Sequence, residues 1–313
     1  MPLNNRLKEQ LAEKDRQIAL MQKQLAEKDR QLTLLQEELT KPVRPENIIW
    51  VFGSPRGGTT WLSEMIAAPK RRKLWREPFF GVVLALRRLI VNQNHASSRQ
   101  FILSDQLREA WLPSIRNLFL DVAAARYPNP RLLIVVKEPN GSMGAPLIME
   151  ALPESKLIFI VRDPRDVVAS QLDASRVGSW YGRREYEASL FDTGEGDYVE
   201  QLARGYVLNV SGAKEAYESH KGPKAMVRYE DLREDTFALL GRIHDDLDLR
   251  LPAAQLRASI AENSWENIPE EERGEGKRRR KATPGSWRED LTPQQAETVE
   301  RITAPLLNEF YPQ

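Results

Sequence analysis

The chain has 313 residues, 41% apolar and 29% charged, with a formal net charge of +1. This is enough for one sizeable domain with an appendage. It is too balanced for a general electrostatic attraction to nucleic acid, so any basic site must be local. There is no cysteine, and the only histidines are His95, His220 and His244, which excludes disulfides, thiolate metal sites and a cysteine nucleophile and argues against a histidine-rich metal centre. The N-terminus is polar from the start, without the apolar core of a secretory signal. The longest apolar stretch, FFGVVLALRRLIV, is cut by Arg87 and Arg88 and falls short of the roughly 20 residues of a membrane span. The expectation is a cytoplasmic protein without a transmembrane segment.

The first predicted element is a long helix. LAEKDRQ occurs at 11–17 and again at 25–31, and a heptad frame places Leu11, Ile18, Leu25, Leu32 and Leu39 at one core position. The other holds Leu7, Lys14, Met21, Lys28 and Leu35, a pattern sustained over about five heptads. Such a stripe needs a partner, either copies of itself or the globular domain. The heptad rule favours a homo-oligomer through residues 1–40, with strand number open because of the two lysines. The two prolines of KPVRPE end this helix, making 41–46 a linker and 47–313 the globular domain.

Strand-like and helix-like stretches then alternate. NIIWVF (47–52), LLIVVK (132–137), KLIFIVR (156–162) and KAMVRY (224–229) read as buried strands, and 59–68, much of 79–125 and 293–309 as helices. Continuous apolar strands separated by helices imply an α/β fold, a three-layer parallel sheet with helices on both faces. Ligands of such sheets bind at the carboxyl ends of the strands.

At the end of the first strand stands GSPRGGTT, Gly53 to Thr60. It has the spacing of an ATP-binding phosphate loop, with Gly53, Gly58 and Thr60 in place but Thr59 where the lysine belongs. That lysine reaches the β/γ-phosphates in nucleotide triphosphatases and the hydroxyl holds magnesium. Its absence argues against a triphosphate and leaves an anion-binding nest at a helix N-terminus, with Arg56 as a cation within the loop.

GSPRGGTTWL resembles the 5′-phosphosulfate loop of sulfotransferases that use 3′-phosphoadenosine 5′-phosphosulfate (PAPS). Cytosolic members usually carry Lys where Arg56 sits, and Arg is common in carbohydrate and bacterial members. VRDPRDVVAS (161–170) resembles the 3′-phosphate segment of that family, with Arg162 and Ser170 at the matching positions. VRYEDL supplies Tyr229, which matches a residue contacting the adenine. RRKATPGSWREDLT resembles the family's C-terminal segment, with Arg280, Lys281, Gly285 and Trp287 in register and Ala282 replacing a glycine. The resemblance spans residues 51–292. It implies a P-loop NTPase-like sulfotransferase fold, PAPS as donor and 3′,5′-diphosphoadenosine (PAP) as product. It also implies donor contacts from Ser54, Pro55, Arg56, Gly57, Gly58, Thr59, Thr60, Trp61, Arg162, Ser170, Tyr229, Arg280, Lys281, Ala282 and Gly285. Arginine forks, ammonium groups and hydroxyls suit a phosphomonoester of about two negative charges.

Sulfuryl transfer needs in-line positioning, cations on the leaving oxygens and a base for the acceptor proton. No metal is required by this logic. Arg56 serves the leaving 5′-phosphate, and Lys137 ends a strand facing the same crevice. Cytosolic members have Lys-x-His here, whereas this chain reads Lys137, Glu138, Pro139. Glu77 is therefore the candidate base, in the region where carbohydrate and tyrosylprotein sulfotransferases present a catalytic Glu; pairing with Arg72 or Arg76 is its alternative role, and Glu138 is the reserve base. The acceptor, a small molecule, glycan or lipid, is unspecified. Trp180, Tyr181, Tyr186, Arg176, Arg183 and Arg184 in 173–198 are its candidate contacts. Two rival readings are a P-loop nucleotide kinase and a coiled-coil scaffold whose domain binds nucleotide without catalysis.

Overall fold

The computed structural model of the chain describes residues 14, 16–18, 20–25, 27–29, 43–91, 101–176, 179, 198–277 and 279–312. Within the heptad stretch the described residues are helical and exposed, Ile18, Met21 and Leu25 among them; the rest of that stretch lies outside the described residues. Among the described residues no helix is long and apolar enough to cross a membrane.

Five parallel strands make one sheet: β1 (Ile48–Gly53), β2 (Arg72–Arg76), β3 (Leu133–Lys137), β4 (Lys156–Val161) and β5 (Lys224–Arg228), in the order β2-β3-β1-β4-β5. The four apolar runs read from the sequence are β1, β3, β4 and β5. β2 was not anticipated. Its sequence RKLWR offers only Leu74 and Trp75 to the interior, because an edge strand has one neighbour and keeps Lys73 and Arg76 exposed. Exposed cations on an edge also discourage pairing with a second sheet.

The alternation of strand side chains divides the core. Trp50, Phe52, Val136, Leu157 and Phe159 pack on one face. There they meet α2 (Phe80–Val91), α3 (Arg108–Arg126), α4 (Ala145–Ala151), α6 (Tyr198–Ser219) and α11 (Pro293–Phe310). Ile49, Val51, Val135, Ile158 and Val227 pack on the other face. Their partners are α1 (Thr59–Ala67), α7 (Tyr229–Glu234), α8 (Thr236–Asp246) and α9 (Ala253–Glu262). Each fully buried residue of this size stabilises by about 1.5–3 kcal/mol, and the two-sided cover explains why the central strands contain no polar position until their ends.

Helix starts follow local chemistry. Asp163 caps α5 (Pro164–Ser175) by accepting from Arg165 N at 2.9 Å, with Pro164 at the first helical position. Thr292 and Gln295 form a capping box on α11. The short α10 is Trp287–Asp290.

A half-buried arginine and a buried histidine join β2 to α8. His244 Nδ1 lies 2.8 Å from Leu240 O, and Nε2 lies 3.0 Å from Arg72 Nη1. A carbonyl only accepts and a guanidinium only donates, so the proton sits on Nδ1 and the ring is neutral. Burial, with Arg72 adding, holds the His244 pKa below its ordinary value. The unfolded chain then binds the extra proton, so this stability is present above about pH 6.5 and is lost as pH falls through it. His244→Gln should show a smaller drop in unfolding temperature between about pH 7.5 and about pH 5.5 than the native chain, measured by thermal melts in both buffers.

Candidate active site

The crevice opens where β1, β3 and β2 end. β1 is paired so that Val51 faces Lys137 of β3 and Gly53 faces Ile160 of β4. A Cβ on Gly53 would meet Ile160 O at 2.3 Å, and one on Gly58 would meet the Tyr229 ring at 2.4 Å. These two positions therefore admit only glycine, and Gly58 also has φ +91° at the N-cap of α1. The loop closes through Gly57 N donating to Ser54 O at 3.0 Å, with Ser54 and Thr59 buried and Pro55 half-buried. The first-turn amides of α1 have no intrahelical acceptor and form an anion nest.

Arg56, at φ 68°, is held from two sides. Its Nε donates to Ser170 Oγ at 3.0 Å, and its carbonyl accepts from Arg162 Nη1 at 3.2 Å. The Arg162 guanidinium lies 4.4 Å from the Tyr229 ring centroid and 3.8 Å from Asp166, and its backbone carbonyl accepts from Tyr206 at 2.8 Å. Trp61 meets Tyr229 edge-on at 6.2 Å and donates to Asn263 O at 2.9 Å. Tyr229 in turn donates to Ala282 O at 3.3 Å. Ala282 has φ +55°, the conformation expected where a glycine was replaced.

Lys137 joins the loop to Glu77. Its buried ammonium donates to Thr60 Oγ1 at 3.2 Å and ion-pairs with Glu77 Oε1, while Asn140 Nδ2 donates to Glu77 Oε2 at 3.3 Å. The alternative role for Glu77 fails on its named partners: Arg76 pairs with Glu64 and Arg72 with His244. Glu77 and Phe79 have φ 50° and 57° around Pro78, a turn that costs roughly 1–3 kcal/mol per residue. Glu77 N donating to Lys137 O at 2.8 Å helps to hold it. Behind this pair, Glu138 is fully buried, and its carboxyl makes no well-formed hydrogen bond, with the Phe79 and Phe80 amides its polar neighbours. Burial, with the Glu77 charge adding, pushes its pKa up to about 8; the Phe79 and Phe80 amides and Lys137 act in the opposite direction.

Two predicted cations are occupied within the protein. Arg280 pairs with Asp290, and Lys281 Nζ lies 2.9 Å from Asp290 Oδ1 and 3.4 Å from Glu289. Trp180, Tyr181, Tyr186, Arg183 and Arg184 lie outside the described residues, and Arg176 sits 3.6 Å from Asp173. Asn140 and Ser142 were missed, although NGS directly follows Lys137-Glu138-Pro139 and could have been read as part of the same strand-end turn. Ser142 Oγ donates to Gly53 O at 2.8 Å and accepts from Gly53 N at 2.9 Å. The carboxylates Glu64, Asp166, Asp173 and Asp290 carry no local signal at all. Among the described residues no group of three or more His, Cys, Asp or Glu is placed to hold a metal ion.

Comparison with known proteins supplies three findings. No curated protein matches the chain. Among solved structures, a mouse sulfotransferase, SULT7A1, complexed with PAP, is 18% identical, covers 84% of each chain and superposes with a TM-score of 0.51. Sulfotransferase STF9 from Mycobacterium avium is 16% identical over 86% of this chain and 78% of its own, with a TM-score of 0.48. The first likeness is one of fold. Residues 48–253 match the model of the sulfotransferase family. That match begins at the first residue of β1 and runs past β5, through the loop, Lys137, Arg162 and Tyr229, so this chain belongs to the sulfotransferase family.

Proposed function

We propose that the chain transfers a sulfuryl group from PAPS to a hydroxyl or amine of an acceptor, with Glu77 as the base. The observation that carries this is the bridge made by Lys137, whose ammonium touches Thr60 at the end of the anion loop and Glu77 at the mouth of the crevice. In a triphosphatase the hydroxyl at Thr60 would hold magnesium; here it accepts from an ammonium. This arrangement suits transfer without a metal.

The proposed step is an in-line displacement. The acceptor oxygen forms a bond to sulfur while its proton passes to Glu77. The bond from sulfur to the bridging oxygen breaks, and its electron pair remains on the 5′-phosphate of PAP. Arg56 and Lys137 stabilise the charge that develops there. Arg162, Ser170, Arg280 and Lys281 form the proposed 3′-phosphate set, with Trp61 and Tyr229 beside the adenine. Glu138 is fully buried and its pKa is pushed up to about 8, so Glu77, one-third exposed on its side chain, is the favoured base and Glu138 the reserve. The acceptor, a small molecule, glycan or lipid, enters on the Glu77 side. A cysteine-free sequence suits a reducing, cytoplasmic setting. Residues 1–40 are proposed as a self-associating helix and 41–46 as its linker to the catalytic domain, because Ile18, Met21 and Leu25 expose the apolar stripe.

Glu77→Gln should lower turnover of labelled donor by about 10²–10⁴-fold while calorimetry shows PAP affinity within about threefold of the native value. Glu138→Gln, which keeps the neutral form, should retain turnover. The folded state holds a proton on Glu138 that the unfolded state releases above about pH 4.3, so this contribution to stability is lost as pH rises towards about 8. The Gln variant should lack that decline in thermal melts. Near-native turnover in Glu77→Gln would remove the base assignment. For the helix, the double substitution Ile18→Asp and Leu25→Asp should reduce the mass seen by light scattering to that of a monomer.

A further inference from the structure

One face of α5 carries Asp166, Ser170 and Asp173, spaced so that all three side chains point the same way. Ser170 holds Arg56 of the anion loop. The two carboxylates flanking it hold a different part of the chain. Asp166 Oδ2 accepts from Gly285 N at 2.7 Å and Asp166 Oδ1 from Trp287 N at 2.9 Å. Asp173 Oδ2 accepts from Gly276 N at 3.1 Å. Asp166 and Asp173 are 1% and 2% exposed. Buried carboxylates are retained only when their lone pairs are satisfied, and here the satisfying groups are backbone amides more than 100 residues away in sequence.

The segment so held, 276–287, contains Arg280, Lys281 and Ala282. Gly276 and Gly285 donate two of the three amides and have φ +67° and +79°, so the chain turns at its two points of attachment. The opposite side is fastened to α1, where Arg279 Nη2 lies 3.2 Å from Glu64 Oε2. Tyr229 donates to its middle at Ala282 O. Arg162, one helical turn before Asp166, places its guanidinium 3.8 Å from the same oxygen that accepts from Gly285.

We propose that Asp166 is the positioning residue that assembles the two halves of the 3′-phosphate subsite, with Asp173 as its second anchor. It sets the strap 276–287, and with it Arg280 and Lys281, against Arg162 before any nucleotide binds. Asp166 touches neither donor nor acceptor; it acts through the strap backbone. This rests on the 3′-phosphate reading above. Its consequence is specific: loss of Asp166 weakens recognition of the 3′-phosphate and leaves the adenine and 5′-phosphate contacts in place.

The experiment compares PAP and AMP by calorimetry on the full chain, in the native protein and in Asp166→Ala, Asp166→Asn and Arg162→Ala. Asp166→Ala should lower PAP affinity by about tenfold or more, as for loss of charge-assisted hydrogen bonds, and change AMP affinity by less than about threefold. Amide exchange at Gly285 and Trp287 should rise in the same variant, which a general loss of stability would not confine to those residues. Asp166→Asn keeps the shape and one acceptor, and should show an intermediate loss; it carries the test if the alanine variant does not fold. An unchanged PAP preference in both Asp166 variants, with that preference lost in Arg162→Ala, would overturn the role of Asp166. A preference unchanged in Arg162→Ala as well would instead overturn the 3′-site reading beneath it.

Discussion

The geometry of the crevice depends on the register in which β1 lies between β3 and β4. Parallel pairing sets Val51 beside Lys137 and Gly53 beside Ile160. Because side chains alternate along a strand, a slip of one residue would exchange the faces to which Val136 and Lys137 point. The register is fixed by burial on both faces. It is then locked at the crevice by Ser142, which exchanges hydrogen bonds with both backbone groups of Gly53, its hydroxyl oxygen lying 3.1 Å from Glu138 O. The anion loop starts where this lock ends.

Two electrostatic solutions meet in that small volume. The Lys137 ammonium is buried and is paired with Glu77 and Thr60. Glu138, one residue further, is also buried but has no such partners, and its charge is suppressed by burial. The distinction comes from where the strand end points each side chain, since Lys137 lies in the pairing register and Glu138 turns back towards the glycine contacts of Gly81 and Gly141.

The C-terminal third reaches the sheet through acids that bind backbone. Asp166 and Asp173 accept from amides of the strap, and Glu230 accepts from Asp163 N at 3.1 Å and from Tyr311 at 2.8 Å. Arg165 joins the same region, pairing with Asp163 and Glu300 and lying 4.2 Å from the Trp287 ring. Because the strap is held through its backbone N–H donors, its own side chains are left for other contacts. Arg280 and Lys281 use theirs on Asp290.

Four of the five strands were legible because a central parallel strand must be apolar on both faces. The loop was legible because glycine spacing and a following helix are local features. β2 was not legible, since an edge strand needs only two inward residues, and RKLWR has no periodic excess over a charged turn. Glu77 was found as a candidate by its place after the first helix. Its pairing with Lys137 rather than with Arg72 or Arg76 required the β2–β3 register, which sets Arg76 beside Lys137. By itself, the sequence determined four strands of the sheet and the glycine loop with Arg56 that follows the first of them, because those follow from burial periodicity and short-range spacing. The tertiary structure alone decided which carboxylate meets which cation, that Glu138 is sealed from solvent, and that α5 fastens the strap. Those outcomes depend on residues as far apart as Asp166 and Trp287, brought together by packing that no local pattern encodes.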